Sequence, residues 1–93
     1  MNIKKDLIFA INNLESEKEI QSFLTDLLTP AELDELSTRF QIAKLLWTTE
    51  LPYLEIANKL KTSTTTVTRV ARFLHKEPNK GYQAILQKIY PKN

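Results

Sequence analysis

Cysteine is absent from this 93-residue chain, so neither a disulfide nor a thiolate-ligated zinc can brace its fold. A lone core of that size is marginal. With covalent and metal staples excluded, pairing with a second copy is the expected support. Glycine occurs once. There is no phosphate-cradling glycine loop, and sustained strand-type alternation is missing too, which leaves an all-α reading. Histidine also occurs once, at His75, with Glu77 as its one nearby carboxylate. That is too little for nucleophilic or metal chemistry, so an enzyme is the least favoured class and no catalytic or metal-ligating residue is expected. A single histidine near a helix end more often meets terminal carbonyls. No apolar run approaches the roughly 20 residues of a membrane span. The N-terminal stretch MNIKKDLIFAINNLESEKE lacks a small-residue cleavage site after its short apolar run. The expectation is a cytoplasmic protein with no membrane partner.

The acids are also missing from one region. Residues 1–58 hold 5 Lys or Arg and 10 Asp or Glu, whereas residues 59–93 hold 8 basic residues and one acid, Glu77. The formal net charge of +2 conceals this asymmetry. A one-sided cationic field attracts polyanions and orients their approach; the plain alternative is a solvated surface.

What is present is helical periodicity. Leu7, Ile8, Ile11 and Leu14 recur at helical spacing near residues 3–15. Ser16-Glu-Lys-Glu19 has the form of a capping box that starts a second helix bearing Ile20, Phe23, Leu24, Leu27 and Leu28. Thr29-Pro-Ala-Glu32 is a stronger start signal: Thr29 caps, Pro30 suits the first helical position, and Glu32 lies near the positive end of the helix dipole. This third helix is expected to run to about Thr48 as a central strut, with Leu33, Leu36, Phe40, Ala43, Leu46 and Trp47 along a broad stripe. Phe40 and Trp47 read as core residues. Glu50-Leu-Pro-Tyr53 breaks the pattern, with Pro52 opening a fourth helix. His75-Lys-Glu-Pro-Asn-Lys-Gly81 is a second breaker, and a last helix carries Tyr82, Ile85, Leu86, Ile89 and Tyr90. No repeat, low-complexity tract or linker divides the chain, so residues 1–93 read as one domain.

The stretch from Tyr53 to Leu74 carries the functional signal. Ile56, Ala57 and Leu60 share one face of a short helix; Lys61, Thr62 and Ser63 interrupt it; Ser63 is placed to cap the next helix. There Val67, Val70, Ala71 and Leu74 form a buried stripe, leaving Thr64, Thr65, Thr68, Arg69, Arg72 and Lys76 outward. Hydroxyls near the start of a helix and cations farther along suit base edges and phosphates respectively. Two turn-linked helices of this size form a helix-turn-helix. On this reading Thr64, Thr65 and Thr68 touch bases, Ser63 and Tyr53 touch the DNA backbone, and Lys61, Arg69, Arg72 and Lys76 meet phosphates. Alternatively, Arg69 and Arg72 stabilise the fold by pairing with acids, or the face is an ordinary threonine-rich solvated one.

The run LTPAELDELSTRFQIAKLL followed by YLEIANKLKTSTTTVTRVARFL resembles the Trp repressor superfamily. Its members share an L-T-P-x-E start, a T-R in the same long helix, and I-T-R or I-S-R in the reading helix. The resemblance covers about Leu28 to Leu74. It implies an all-α fold of about six helices, an intertwined homodimer, and a double-stranded DNA operator with two-fold symmetry. In tryptophan-responsive members the ligand lies between the long helix and the reading helix. By position, Arg39 and Arg69 match the two arginines of that site, and Thr29 falls in the segment that the partner subunit contributes.

Two positions depart from that site. Val70 stands where those repressors have glycine, and Phe73 where they have a small residue. Both add bulk where an indole needs room, and overfilled sites open at a cost of about 1–3 kcal/mol. Arg69-Val-Ala-Arg72-Phe-Leu74 is more similar to the R-V-x-R-x-L of the YerC/YecD branch, which is not known for tryptophan response. Leu54 and Ala57 stand where the tryptophan repressor carries cationic groups used on DNA. Lys61 occupies a turn position where many such units have glycine, so strain is expected if its φ is positive. The expected function is a homodimeric transcriptional regulator with no cofactor. The alternatives are a repressor that needs tryptophan or another small molecule, and a protein-interaction module that does not bind DNA.

Overall fold

The computed structural model describes residues 1–92. Their regular structure is entirely helical, in the order α1 (Ile3–Asn12), α2 (Glu17–Leu27), α3 (Pro30–Thr48), α4 (Tyr53–Leu60), α5 (Thr64–His75) and α6 (Gly81–Ile89). The chain divides into two compact units, one spanning Met1–Asp34 and the other from Glu35 onward, and the division falls within α3.

In the first unit, local capping sets the helix ends. The Asn2 side chain accepts the Lys5 N–H at 3.0 Å and starts α1, which stops at Asn12, earlier than the apolar spacing through Leu14 implies. Ser16 accepts the Glu19 N–H at 3.1 Å. The return bond differs from the expected box: Glu19 Oε1 accepts from the Glu15 N–H, one residue before the cap. At α3 the box is complete, with Thr29 Oγ1 accepting the Glu32 N–H at 3.1 Å and Glu32 Oε1 accepting the Thr29 N–H at 2.9 Å. The Thr29 N–H, and then its hydroxyl, hold the Glu32 carboxyl below its ordinary range. Neither α1 nor α2 buries a residue within the single chain. Ile8 and Phe9 remain 66% and 71% exposed.

The second unit contains the core. Ile42 and Ala43 of α3, Ile56 and Ala57 of α4, Val67, Val70 and Leu74 of α5, and Leu86 of α6 form one buried cluster. Complete burial of a Val, Leu or Ile side chain contributes about 1.5–3 kcal/mol. Every helix of this unit therefore has an anchor of that strength. Phe40 and Trp47, expected in the core, are half-buried side chains packed at its margin. Ile42 takes the central place instead, and Leu36 of the expected stripe is exposed. The hydrophobic residues around the C-terminal half of α3 allow more than one stripe, and the helices packed against it select among them.

Two connections position α5. Pro52 opens α4, as the sequence implied, from the N-cap position in extended geometry, φ −62° and ψ 152°. At the other end Lys61 is left-handed, φ 55° and ψ 46°. The Lys61 N–H donates to the Asn58 carbonyl and the Thr62 N–H to the Ala57 carbonyl, a Schellman closure that satisfies the helix end. Lys80 is likewise left-handed, φ 57°. The neighbouring Gly81 opens α6 at negative φ, so the chain's only glycine is not the residue that makes this turn.

Candidate nucleic-acid interface

α5 begins at Thr64 because Ser63 Oγ accepts the Thr66 N–H at 3.1 Å. The Ser63 and Thr66 hydroxyls also share a 2.9 Å hydrogen bond. Thr66 therefore takes the place that a glutamate holds in a full capping box. Part of the Ser63 hydroxyl capacity is thus committed to the fold, although Ser63 was expected to touch a DNA backbone.

Val67, Val70, Ala71 and Leu74 are all buried, as the spacing implied. Their burial fixes the rotation of α5 and turns the opposite face to solvent. Tyr53, Lys61, Ser63, Thr64, Thr65, Thr68, Arg69, Arg72 and Lys76 are all exposed. Two shallow depressions organise this surface. One is lined by Thr64, Thr65, Thr68, Arg69, Arg72 and Phe73. The other brings Tyr53 of α4 beside Thr68, Arg72, His75 and Lys76 of the α5 end, with Glu77. Thr68 and Arg72 line both, so the three threonines form a continuous surface with Tyr53, Arg69, Arg72 and Lys76; Lys61 and Ser63 line neither depression.

The cations on that surface are not equivalent. Arg72 donates through Nε and Nη2, each at 2.7 Å, to Oε1 of Glu77. Arg72 thus pairs with an acid, the alternative that the sequence offered, while its side chain stays 66% exposed on this surface. The guanidinium groups of Arg69 and Arg72 lie 5.4 Å and 5.9 Å from the centre of the Phe73 ring, within cation–π range. Sequence reasoning offered an acidic partner for Arg72 without naming it, and missed the Phe73 contacts. Phe73 was read only as bulk in a ligand slot, and Glu77 only as a weak partner for His75. The signal for the pair was the solitary acid in a basic segment, five residues after Arg72.

A third cleft, of about 390 Å³, is lined by Arg39, Arg69, Val70, Phe73, Asn79, Gly81 and Tyr82. It thus joins the two arginines expected at a small-molecule site with the two residues expected to crowd it. Thr29, the third such residue, lies in the first unit and commits its N–H and hydroxyl to the start of α3.

Residues 4–90 match the family described as Trp repressor protein. A Trp operon repressor homolog of Actinobacillus succinogenes is 43% identical over 58 residues, which are 62% of this chain and 57% of the relative. The match therefore spans little more than half the length of that curated relative. The crystal structure of a TrpR like protein from Eubacterium eligens superposes with a TM-score of 0.83 at 36% identity, covering 91% of this chain and 86% of the other. A solved structure from Staphylococcus aureus has the same TM-score at 33% identity and covers 100% and 98% of the two chains.

Proposed function

This chain belongs to the Trp repressor protein family, and on that premise we propose that it is a homodimeric, sequence-specific regulator of transcription that reads double-stranded DNA with α5. The observation that carries the reading is the orientation of α5. Its buried stripe leaves Thr64, Thr65, Thr68 and Arg69 uncovered, and Lys61 and Lys76 are exposed as well. The threonines are the base-contacting set; Lys61, Arg69 and Lys76 supply phosphate contacts. Tyr53 approaches the DNA backbone from the start of α4, where no side chain caps the helix. Two such helices in successive major grooves require half-sites about one DNA turn apart.

The homodimer is supported by α1 and α2, whose apolar side chains have no buried place within one chain. The test is equilibrium binding to labelled duplexes of random sequence across a salt series, followed by selection of bound duplexes from the same pool. Binding should weaken steeply with salt, and Arg69→Gln should lower the slope of log K against log salt by about 0.9 per reading helix. A chain that ignores duplex at low salt would instead be a protein-interaction module.

The cleft between Arg39 and Arg69 favours a second reading, a corepressor carrying an anionic group, with tryptophan as the family's example. Its volume suits a small ligand, but Val70 and Phe73 line it where an indole needs space. Calorimetric titration with tryptophan separates the readings: heat saturating at micromolar ligand establishes the corepressor, and a flat titration leaves a regulator that needs none.

A further inference from the structure

We infer that Glu77 is an intramolecular stand-in for a DNA phosphate, holding the Arg72 charge and thereby lowering sequence-independent affinity for DNA. The inference rests on the DNA-reading role of α5. Glu77 is the only acid among residues 59–93, and its placement is built rather than incidental. Its backbone N–H donates to the Arg72 carbonyl at 3.1 Å, folding the chain back onto the last turn of α5. The carboxylate then takes two guanidinium N–H groups on one oxygen, at 2.7 Å each. The carboxylate side chain is 26% exposed and the guanidinium side chain 66% exposed. The anion is thus held against the protein while the cation remains on the reading surface.

A phosphate approaching Arg72 meets a pair with no net charge. It must either displace Glu77 or accept repulsion from the carboxylate at a similar distance. In either case the arginine releases fewer counterions than a free cation would, and counterion release drives non-specific affinity. Contacts from Thr64, Thr65 and Thr68 to base edges are unaffected by this neutralisation. The pair therefore suppresses the part of the binding energy that carries no sequence information. Glu77 is accordingly a specificity-determining residue that acts through Arg72.

The experiment compares wild type, Glu77→Gln, Glu77→Ala, Arg72→Gln and the Arg72→Gln/Glu77→Gln double variant. Each binds a labelled duplex of random sequence across a salt series, with helix content checked by circular dichroism. Glu77→Gln keeps an acceptor for the Arg72 N–H groups and removes only the charge. The expected result is tighter binding by both Glu77 variants, on the order of three- to tenfold near 0.1 M salt, with the salt slope steeper by about 0.9 per reading helix. Arg72→Gln should cost more affinity in the Glu77→Gln background than in the wild-type chain, the coupling that a double-mutant cycle reads. If wild type binds and either Glu77 variant binds equally or more weakly, Glu77 is a brace for Arg72 and the inference falls alone. If no variant binds duplex at any salt, the DNA-reading role fails and takes the inference with it.

Discussion

The indole N–H of Trp47 donates to the backbone carbonyl of Tyr90 over 2.8 Å, joining positions 43 residues apart. The Lys92 ammonium stacks 4.0 Å from the Trp47 ring centre, and Lys44 lies 5.1 Å from that of Tyr90. The end of α3 thus holds the residues that follow α6. Trp47→Phe keeps the aromatic packing but leaves the Tyr90 carbonyl without its donor, and an unsatisfied acceptor costs about 1–3 kcal/mol. The expected outcome is a lower denaturant midpoint with an unchanged m-value. Duplex affinity should be retained under conditions where the variant is folded, because Trp47 is not among the residues proposed to meet DNA.

Stability and DNA affinity should move in opposite directions at Lys61. A left-handed non-glycine residue costs about 1–2 kcal/mol, part of which glycine returns through greater freedom of the unfolded chain. Lys61→Gly is therefore expected to stabilise the fold by roughly 0.5–1 kcal/mol, read as a higher denaturant midpoint. The same change removes a cation from the proposed phosphate set, so the salt slope of duplex binding should fall by about 0.9 per reading helix.

The start of α3 should be sensitive to acid. Bonds from the Thr29 N–H and hydroxyl depress the Glu32 pKa in the folded chain below its ordinary value of 4.5. A depressed carboxyl contributes stability that is complete above the unfolded value and is lost as pH falls through the folded one. Unfolding midpoints measured downward from pH 4.5 should therefore drop more in wild type than in Glu32→Gln. The amide retains an acceptor for the Thr29 N–H but does not titrate. Equal pH profiles for the two chains would remove Glu32 from the account.

Association should depend on α1. Ile8→Asp and Phe9→Asp alter side chains that a single chain leaves mostly exposed, so intramolecular packing has little to lose. Under the homodimer proposal, sedimentation equilibrium should show each variant shifted toward monomer. Duplex affinity should fall at least about tenfold, since two linked reading helices gain from effective concentration what one cannot. Variants that remain dimeric would place the contact elsewhere.

Much of the fold was legible because its signals are local. Thr29, Pro30 and Glu32 mark the start of α3 within four consecutive residues, and Ser63 marks that of α5 in the same way. The α5 stripe was readable because one helical period assigns Val67, Val70, Ala71 and Leu74 to one side, and the core beneath them enforces it. The order of the motifs also carried the family, since the L-T-P start and α5 are separated by the long α3 and the short α4.

Other features depend on distant parts of the chain. Periodicity along α3 could not rank Ile42 above Leu36, because burial there depends on which face α4, α5 and α6 cover. The left-handed turn at Lys80 was unreadable beside a glycine that offers itself for the same purpose. The cleft shared by Arg39 and Arg69 exists only once α3 and α5 have packed. Composition alone shows a basic C-terminal segment with one acid, whereas the turn after α5 decides that this acid neutralises Arg72 and leaves Arg69 without it. Helix boundaries and faces follow from neighbours a few residues apart, which the chain's own order supplies. Charge pairing and clefts follow from distances in space, which exist only after the helices have packed.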